Sequence, residues 1–422
     1  MNMDFKTLPS GRFTLKDVSV PACLLGREGD LIRTDIGIDG DVIAAPGGET
    51  VDMKGAMVLP SFTDMHTHLD KGHIWPRSPN PDGTFDGALS TVRADHAIWT
   101  AEDVSARMEF SLKCAYAHGT RQVRTHIDSL DGQYQRSWPV VVEMREKWAG
   151  KVDLQAVSLM SCDRFGTDGE FAALAEVVEE AGGVLGLVTY PIPDLPRILT
   201  GFFEMAGKMG LSVDFHTDET MDPGSETLRM IAEAVIETGY DLPVVVGHCC
   251  SVSTQEESRA FDTLDLVARA GLNAVSLPMC NQYLQDRTPG RTPRRRGVTL
   301  VHEMKDRGIN VSFASDNTRD PFYAYGDLDM VEVMREATRI AHLDHSGTNW
   351  VKAFTSNPAQ ACDFMAPDLS PGASADLTIF KARTWTELFS RPQSDRIVLR
   401  DGTAIDRTLP DYAELDHLMR TS

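Results

Sequence analysis

Eight short apolar runs punctuate the middle of the chain: MVLPSF, QVRTHI, LQAVSLM, VLGLVTY, LSVDFHT, PVVVGHC, LNAVSLP and INVSFAS. After a longer first interval they recur about every thirty residues, the length of one strand–helix unit. Runs with so little alternation suit parallel strands covered on both faces. Eight such units close on themselves, so the predicted class is α/β with a (β/α)8 TIM barrel. Helix signals fill the intervals. EDVSARMEFSLKCAYAHG stops at Gly119, and EFAALAEVVEEAGG stops at Gly182 and Gly183, glycine being the usual residue just past a helix C-terminus. After the eighth run, DPFYAYGDLDMVEVMREATRIAHL predicts a lead-in loop and one further helix.

The two ends have a different texture. FTLKDVSVPACLL and LIRTDIGIDGDVIAA alternate apolar and polar residues with Gly and Asp between them, as hairpins do. ADLTIFKA and DRIVLRDGTAI repeat that pattern near the C-terminus. The ends are therefore expected to share one small β-sandwich domain, residues 1–57 and 366–422, beside a barrel spanning residues 58–365.

The charge balance narrows the partners. With 62 acidic against 41 basic residues the formal net charge is -21, a field that repels a phosphate backbone, so nucleic acid is not an expected partner. The one dense basic run, residues 291–296, lies between turn residues and reads as a solvated loop. Seven cysteines in no regular framework, and a start (MNMDFKTLPS) without a basic segment and apolar core, predict a cytoplasmic protein. No window approaches the roughly 18 apolar residues of a membrane span. The expected partners are a small-molecule heterocyclic substrate and further copies of the chain in a homo-oligomer.

The chemistry lies in the residues that end the runs. Strand C-termini of such a barrel converge on one mouth, so groups far apart in sequence meet there. The first run ends in Asp64-Met65-His66-Thr67-His68, the second in His126 and Asp128, the fifth in His216-Thr217-Asp218-Glu219, the sixth in His248 and the eighth in Asp316-Asn317. Alternation along a strand points His66 and His68 the same way, so two imidazoles reach one ion. A single histidine at a strand end is more often a hydrogen-bonded structural residue. Five of the chain's 12 histidines at such ends form a cluster that chance does not readily produce. His73, His96, His118, His302, His342 and His345 lack that placement and read as structural.

Competing chemistries are absent as motifs: the sequence has no H-E-x-x-H, P-loop, G-x-S-x-G or G-x-G-x-x-G. Cys249-Cys250 lacks the spacer of the cysteine-ligated deaminases. Nitrogen and carboxylate ligation is what remains.

At these residues the chain resembles the amidohydrolase superfamily, and within it the cytosine deaminase group that also contains the N-isopropylammelide hydrolases. The resemblance is carried by LPSFTDMHTHLDK, VRTHID, FHTDE, VGHCCS, the loop from PMCNQYLQDRTPG to the eighth run, FASDNTRDPFYAYGDLDM and PGASADLTIF. It implies one divalent metal ion, Zn²⁺ or Fe²⁺, held by His66, His68, His216 and Asp316. It further implies Glu219 as a proton shuttle, His248 as the group assisting the attacking water, and Asp316 as the water's proton acceptor. Strand four ends in VLGLVTYP, without the lysine that bridges two metals in other subtypes. The implied reaction is hydrolytic deamination of a small nitrogen heterocycle, such as an aminopyrimidine, aminotriazine or pterin-like ring. Cyclic-amide or N-alkylamine hydrolysis at the same ion, or a catalytically silent heterocycle-binding barrel, are the alternatives. Two departures bear on the substrate. Where cytosine deaminases carry a glutamine at the end of strand three, this chain has Leu159-Met160-Ser161-Cys162, and Asn317 stands where they carry an aspartate. Substrate contacts are expected from Ser161, Cys162, Asn317, His126 and Gln285, and cytosine is expected to be a poor fit.

Overall fold

The computed structural model describes residues 5–166, 169–392 and 395–419. Eight parallel strands carry the central unit: β1 (Phe62–Thr67), β2 (Thr120–Asp128), β3 (Asp153–Leu159), β4 (Leu185–Thr189), β5 (Val213–Thr217), β6 (Val244–His248), β7 (Asn273–Ser276) and β8 (Asn310–Phe313). Strands β1 to β3 pair as one parallel set, and β4 to β8 as another. Isolated parallel bridges connect the sets: Val157–Val184 and Ser161–Val188 on one side, Thr67–Asp316 on the other.

The alternation of strand side chains divides inside from outside. Phe215 joins an apolar layer with Val123, Leu154, Leu187 and Val246 against helix residues such as Leu112, Val141, Phe202 and Leu264. Asp214 and His216, its neighbours on β5, lie with Arg124 and His126 instead, and Arg124 Nη1 meets Asp214 Oδ2 at 2.9 Å. Burying each large apolar side chain of the outer layer contributes about 1.5–3 kcal/mol, which holds the strands while their other faces carry polar groups.

The helices begin and end where the sequence indicated. Thr100 caps the helix Ala101–His118 by accepting from Asp103 N, and Gly119 ends it at φ 103°. Gly119 is also a point of close approach, since a Cβ there would stand 2.6 Å from Thr378 Oγ1 of the C-terminal segment. The helix Glu170–Glu180 stops just before Gly182, and Met330–Ala341 is capped by Asp329.

Both chain ends enter one eight-stranded sheet. Leu377–Phe380 pairs antiparallel with Met57–Pro60, which bridges in parallel to Arg12–Pro21. A single core of Phe13, Leu15, Ile38, Val58, Leu377, Ile397 and Leu399 joins residues from both ends. The run MVLPSF thus spans two elements. Met57–Pro60 belongs to this sheet, and only Phe62 opens β1. The crossing is made at Ser61, whose N–H donates to Asp376 O at 2.9 Å. All seven cysteines are free thiols. Among the described residues no helix is long and apolar enough to cross a membrane.

Candidate active site

Three imidazoles and a carboxylate converge at the C-terminal ends of β1, β5 and β8. His216 Nε2 lies 3.2 Å from His66 Nε2 and 3.3 Å from His68 Nε2. Asp316 Oδ1 lies 3.3 Å from His68 Nε2 and 3.7 Å from His66 Nε2. A tetrahedral ion with bonds of about 2.0–2.1 Å holds its ligand atoms roughly 3.3–3.4 Å apart, so the spacing is that of a first coordination sphere. Burial, with the neighbouring cationic and imidazole groups, holds the three histidines well below their usual pKa. Neutral imidazoles can each turn a lone pair to the point where the Nε2 atoms meet, as ligands to a cation do. The residues therefore fit a divalent ion. Gly247 on β6 makes room for the array, since a Cβ there would approach His66 Cε1 to 3.1 Å.

The backbone turns sharply at these strand ends. Asp218 (φ 48°), His248 (φ 67°), Cys249 (φ 48°) and Asp316 (φ 65°) are left-handed without being glycine, a conformation that costs on the order of 1–3 kcal/mol each and gathers at functional sites. Compensating bonds hold them. Asp218 accepts from Ser225 Oγ (2.7 Å), Thr227 N (3.0 Å) and Leu228 N (2.9 Å). Asp316 N donates to His66 O at 2.9 Å, and Ser315 Oγ to Asp64 Oδ2 at 2.5 Å.

Glu219 stands beside this array. Asn281 Nδ2 lies 3.4 Å from its Oε1, and Gln285 Nε2 donates to its backbone carbonyl at 3.1 Å. Burial, and then the charge of Asp316, push the Glu219 carboxyl well above its ordinary value. Asp316 itself is pushed up to about 7 by burial; an ion among the histidines reverses that by favouring the carboxylate. Asn281 Nδ2 also meets His248 Nδ1 at 2.9 Å. Since an amide nitrogen only donates, His248 accepts at Nδ1 and carries its proton on Nε2, an atom with no protein partner. Burial pushes this ring down to about 3, so it is a neutral donor.

These groups open into a cavity of about 720 Å³ whose lining includes Phe85, Leu89, Val92 and Phe322 together with Met160, Ser161 and Tyr190. Its floor includes an ion pair that spacing in the sequence does not announce. Lys71 Nζ donates to Asp128 Oδ1 at 2.8 Å, and His96 Nε2 meets Asp128 Oδ2 at 3.0 Å. Burial opposes the ammonium form, but Asp128 and Asp70 outweigh it and raise the Lys71 pKa.

The residues expected from the sequence divide accordingly. His66, His68, His216 and Asp316 come together, with Glu219 and His248 beside them. Ser161, Asn317 and Gln285 line the cavity. His126 and Cys162 do not line it. His126 packs behind His66 with ring centroids 4.0 Å apart, and its Nε2 lies 3.3 Å from Asp214 Oδ1. Cys162 is fully buried in the apolar layer. His96, read from sequence as structural, is at the cavity wall, and Lys71, Asp128 and Asn281 are further site groups. The only sequence signal for them was position, just past a strand or at the start of the strand-seven loop.

Residues 145–405 match the model of the amidohydrolase family. The pterin deaminase of Rhizobium rhizogenes (strain K84) is 51% identical over 99% of both chains. The N-isopropylammelide isopropyl amidohydrolase of Pseudomonas sp. (strain ADP) is 25% identical over 73% of this chain and 74% of that protein. The structure of 5-methylcytosine deaminase from Klebsiella pneumoniae liganded with 5-fluorocytosine shares the fold with a TM-score of 0.78 at 23% identity, over 94% of this chain and 98% of that one. The chain belongs to the amidohydrolase family and is a hydrolytic deaminase acting on carbon–nitrogen bonds other than peptide bonds.

Proposed function

We propose that this enzyme deaminates the 2-amino-4-oxopteridine ring, a pterin, to the 2,4-dioxo ring and ammonia. The observation that carries the chemistry is the convergence of three imidazoles and a carboxylate on one point, with Glu219, whose carboxyl burial pushes well above its ordinary value, beside them. The choice of ring rests on the pterin deaminase relative, 51% identical over 99% of each chain. A cavity of about 720 Å³ with apolar walls admits a bicyclic ring where the glutamine of cytosine deaminases is missing.

His66, His68, His216 and Asp316 would hold the metal ion, Zn²⁺ or Fe²⁺, which when bound would supply Lewis acidity that makes water nucleophilic at neutral pH. Asp316 accepts the proton that the attacking water gives up. Glu219 holds a proton beside the ring nitrogen next to the amino-bearing carbon and delivers it as that carbon becomes tetrahedral. His248 Nε2–H donates to the oxygen on which charge develops. The proton held on Asp316 passes through Glu219 to the amino group, ammonia leaves, and the hydroxyl proton of the tetrahedral carbon returns to Glu219 as the carbonyl forms. Gln285 fixes the Glu219 backbone, while Ser161 and Asn317 face the substrate.

The bridges Val157–Val184, Ser161–Val188 and Thr67–Asp316 support a closed (β/α)8 barrel over residues 58–365. The terminal sheet curls over its own core as a small β-sandwich. The bridge Val42–Ser374 and the bond from Ile43 N to Ala373 O support that reading by joining the two chain ends. The test of function is ammonia release from pterin by purified, metal-loaded enzyme. Turnover of aminotriazines or aminopyrimidines with none of pterin overturns the assignment.

A further inference from the structure

The cavity is larger than the ring it is proposed to hold, and its outward part carries charge that the deamination does not use. A volume of about 720 Å³ falls in the range of sites that enclose drug-sized ligands, about 300–1,000 Å³, so a bare bicycle leaves much of it open. The helix Phe85–Asp95 runs along one wall and turns a single face to the cavity, with Phe85, Leu89, Val92, Arg93 and His96 among the lining residues. His96 is engaged with Asp128. Arg93 is exposed, and among the described residues its guanidinium meets no carboxylate. On the same helix Asp95, two residues on, is held by Arg77, Ser78 and Trp99, and Asp86, which also lines the cavity, lies seven residues back, about 10 Å along the axis.

A second cationic element adjoins the cavity lining at Gln285. Gln285 lines the cavity, and Gly297 packs against it so closely that a Cβ would stand 2.4 Å from Gln285 Cβ. Residues 286–296 are therefore an excursion that leaves and returns at the cavity wall. They hold five arginines and one aspartate in a chain of net charge -21. Asp286 is consumed in shaping the loop, accepting from Arg291 and from the backbone N–H of Arg294 and Arg295. The side chains of Arg294 and Arg295 are exposed. Arg287, at the start of the excursion, reaches across to Gly83 beside the cavity-lining Thr84 and Phe85.

We propose that Arg93 is a specificity-determining residue that binds an anionic substituent, a carboxylate or phosphate, projecting from the substrate ring, and that the loop 286–296 draws such substrates to the opening. The proposal rests on the pterin reading above for the ring and adds the charge of its substituent. A guanidinium meets a carboxylate or phosphate with two parallel N–H donors, and a cationic loop in an otherwise anionic field raises the local concentration of an anionic substrate.

The test compares two substrates on the holoenzyme: a pterin with a carboxylate on its pyrazine ring, and the same ring with a neutral hydroxymethyl group. In Arg93→Ala the ratio of kcat/KM for the carboxylated to the neutral substrate falls about tenfold or more, mostly through KM, as loss of one charge-assisted contact requires. Arg93→Lys recovers part of that ratio. In Arg294→Ser/Arg295→Ser the salt dependence of kcat/KM for the carboxylated substrate flattens. An unchanged ratio in Arg93→Ala, with both substrates turned over, overturns the role of Arg93 and leaves the pterin reading standing. Turnover of neither substrate by the wild-type enzyme overturns the pterin reading itself. Phosphorylated and carboxylated side chains tested in parallel identify which anion the site prefers.

Discussion

Replacing Asn281 by aspartate reverses the polarity of one hydrogen bond and tests the role of His248 without touching a metal ligand. Asn281 Nδ2 meets His248 Nδ1 at 2.9 Å and lies 3.4 Å from Glu219 Oε1. The amide nitrogen thus faces both the ring and the Glu219 carboxyl. His248 therefore accepts at Nδ1 and keeps its proton on Nε2, the buried atom without a protein partner. A carboxylate at 281 accepts instead, drawing the proton to Nδ1 and leaving Nε2 as a lone pair. Loss of one donor aimed at developing charge costs about 10² to 10³ in kcat, or about 2.7–4 kcal/mol. Asn281→Asp is expected to lose at least about 10² in kcat on pterin with its metal retained, and ¹⁵N NMR is expected to show the Nδ1–H tautomer. A variant with kcat within about threefold of wild type, or with the Nε2–H tautomer intact, refutes the reasoning.

Other expectations are equally direct. Glu219→Gln keeps the ion and the fold and loses about 10² to 10⁴ in kcat, the usual worth of a proton-transfer group; near-normal turnover would exclude the shuttle. Elemental analysis is expected to find one tightly bound divalent ion per chain, with activity lost on chelation and restored by Zn²⁺ or Fe²⁺; two ions per chain contradict the ligand set. Acid stability is expected to depend on Asp329. Burial opposes its charge, but Arg396, bonding at 2.8 and 2.6 Å, outweighs that and lowers the carboxyl below 3.8. A depressed carboxyl stabilises the fold above its unfolded pKa and loses that contribution as pH falls through it, so Asp329→Asn flattens the decline of unfolding free energy below about pH 4. An unchanged acid limb in urea titrations contradicts this.

The parts of the structure legible in the sequence were those with a local cause. Parallel strands leave apolar runs because both faces are covered, and Gly119 marks a helix end because only glycine turns left-handed there without strain. His66, His68, His216 and Asp316 were readable because strand ends of this architecture share a mouth. What depends on long-range pairing was not readable. Lys71 and Asp128 are 57 positions apart, and no periodicity connects them. Asn281 sits one turn into a short helix, where its partner His248 is invisible from spacing. His126 has the same strand-end placement as the candidate ligands, yet it packs against His66 and meets Asp214. Pattern gives the end of a strand but not whether its last inward group reaches the cavity or stops one layer below. The run MVLPSF was apolar for two reasons at once, being half terminal sheet and half barrel strand.

The proposed metal site is suited to a pterin and not to cytosine, and steady-state ammonia release from both rings decides this. The expected kcat/KM for the pterin is above about 10⁴ M⁻¹s⁻¹, the lower end for a matched enzyme. Cytosine falls far below that, because each polar group it buries unpaired costs about 1–3 kcal/mol. Cytosine turnover above about 10⁴ M⁻¹s⁻¹, equal to or faster than that of pterin, contradicts it.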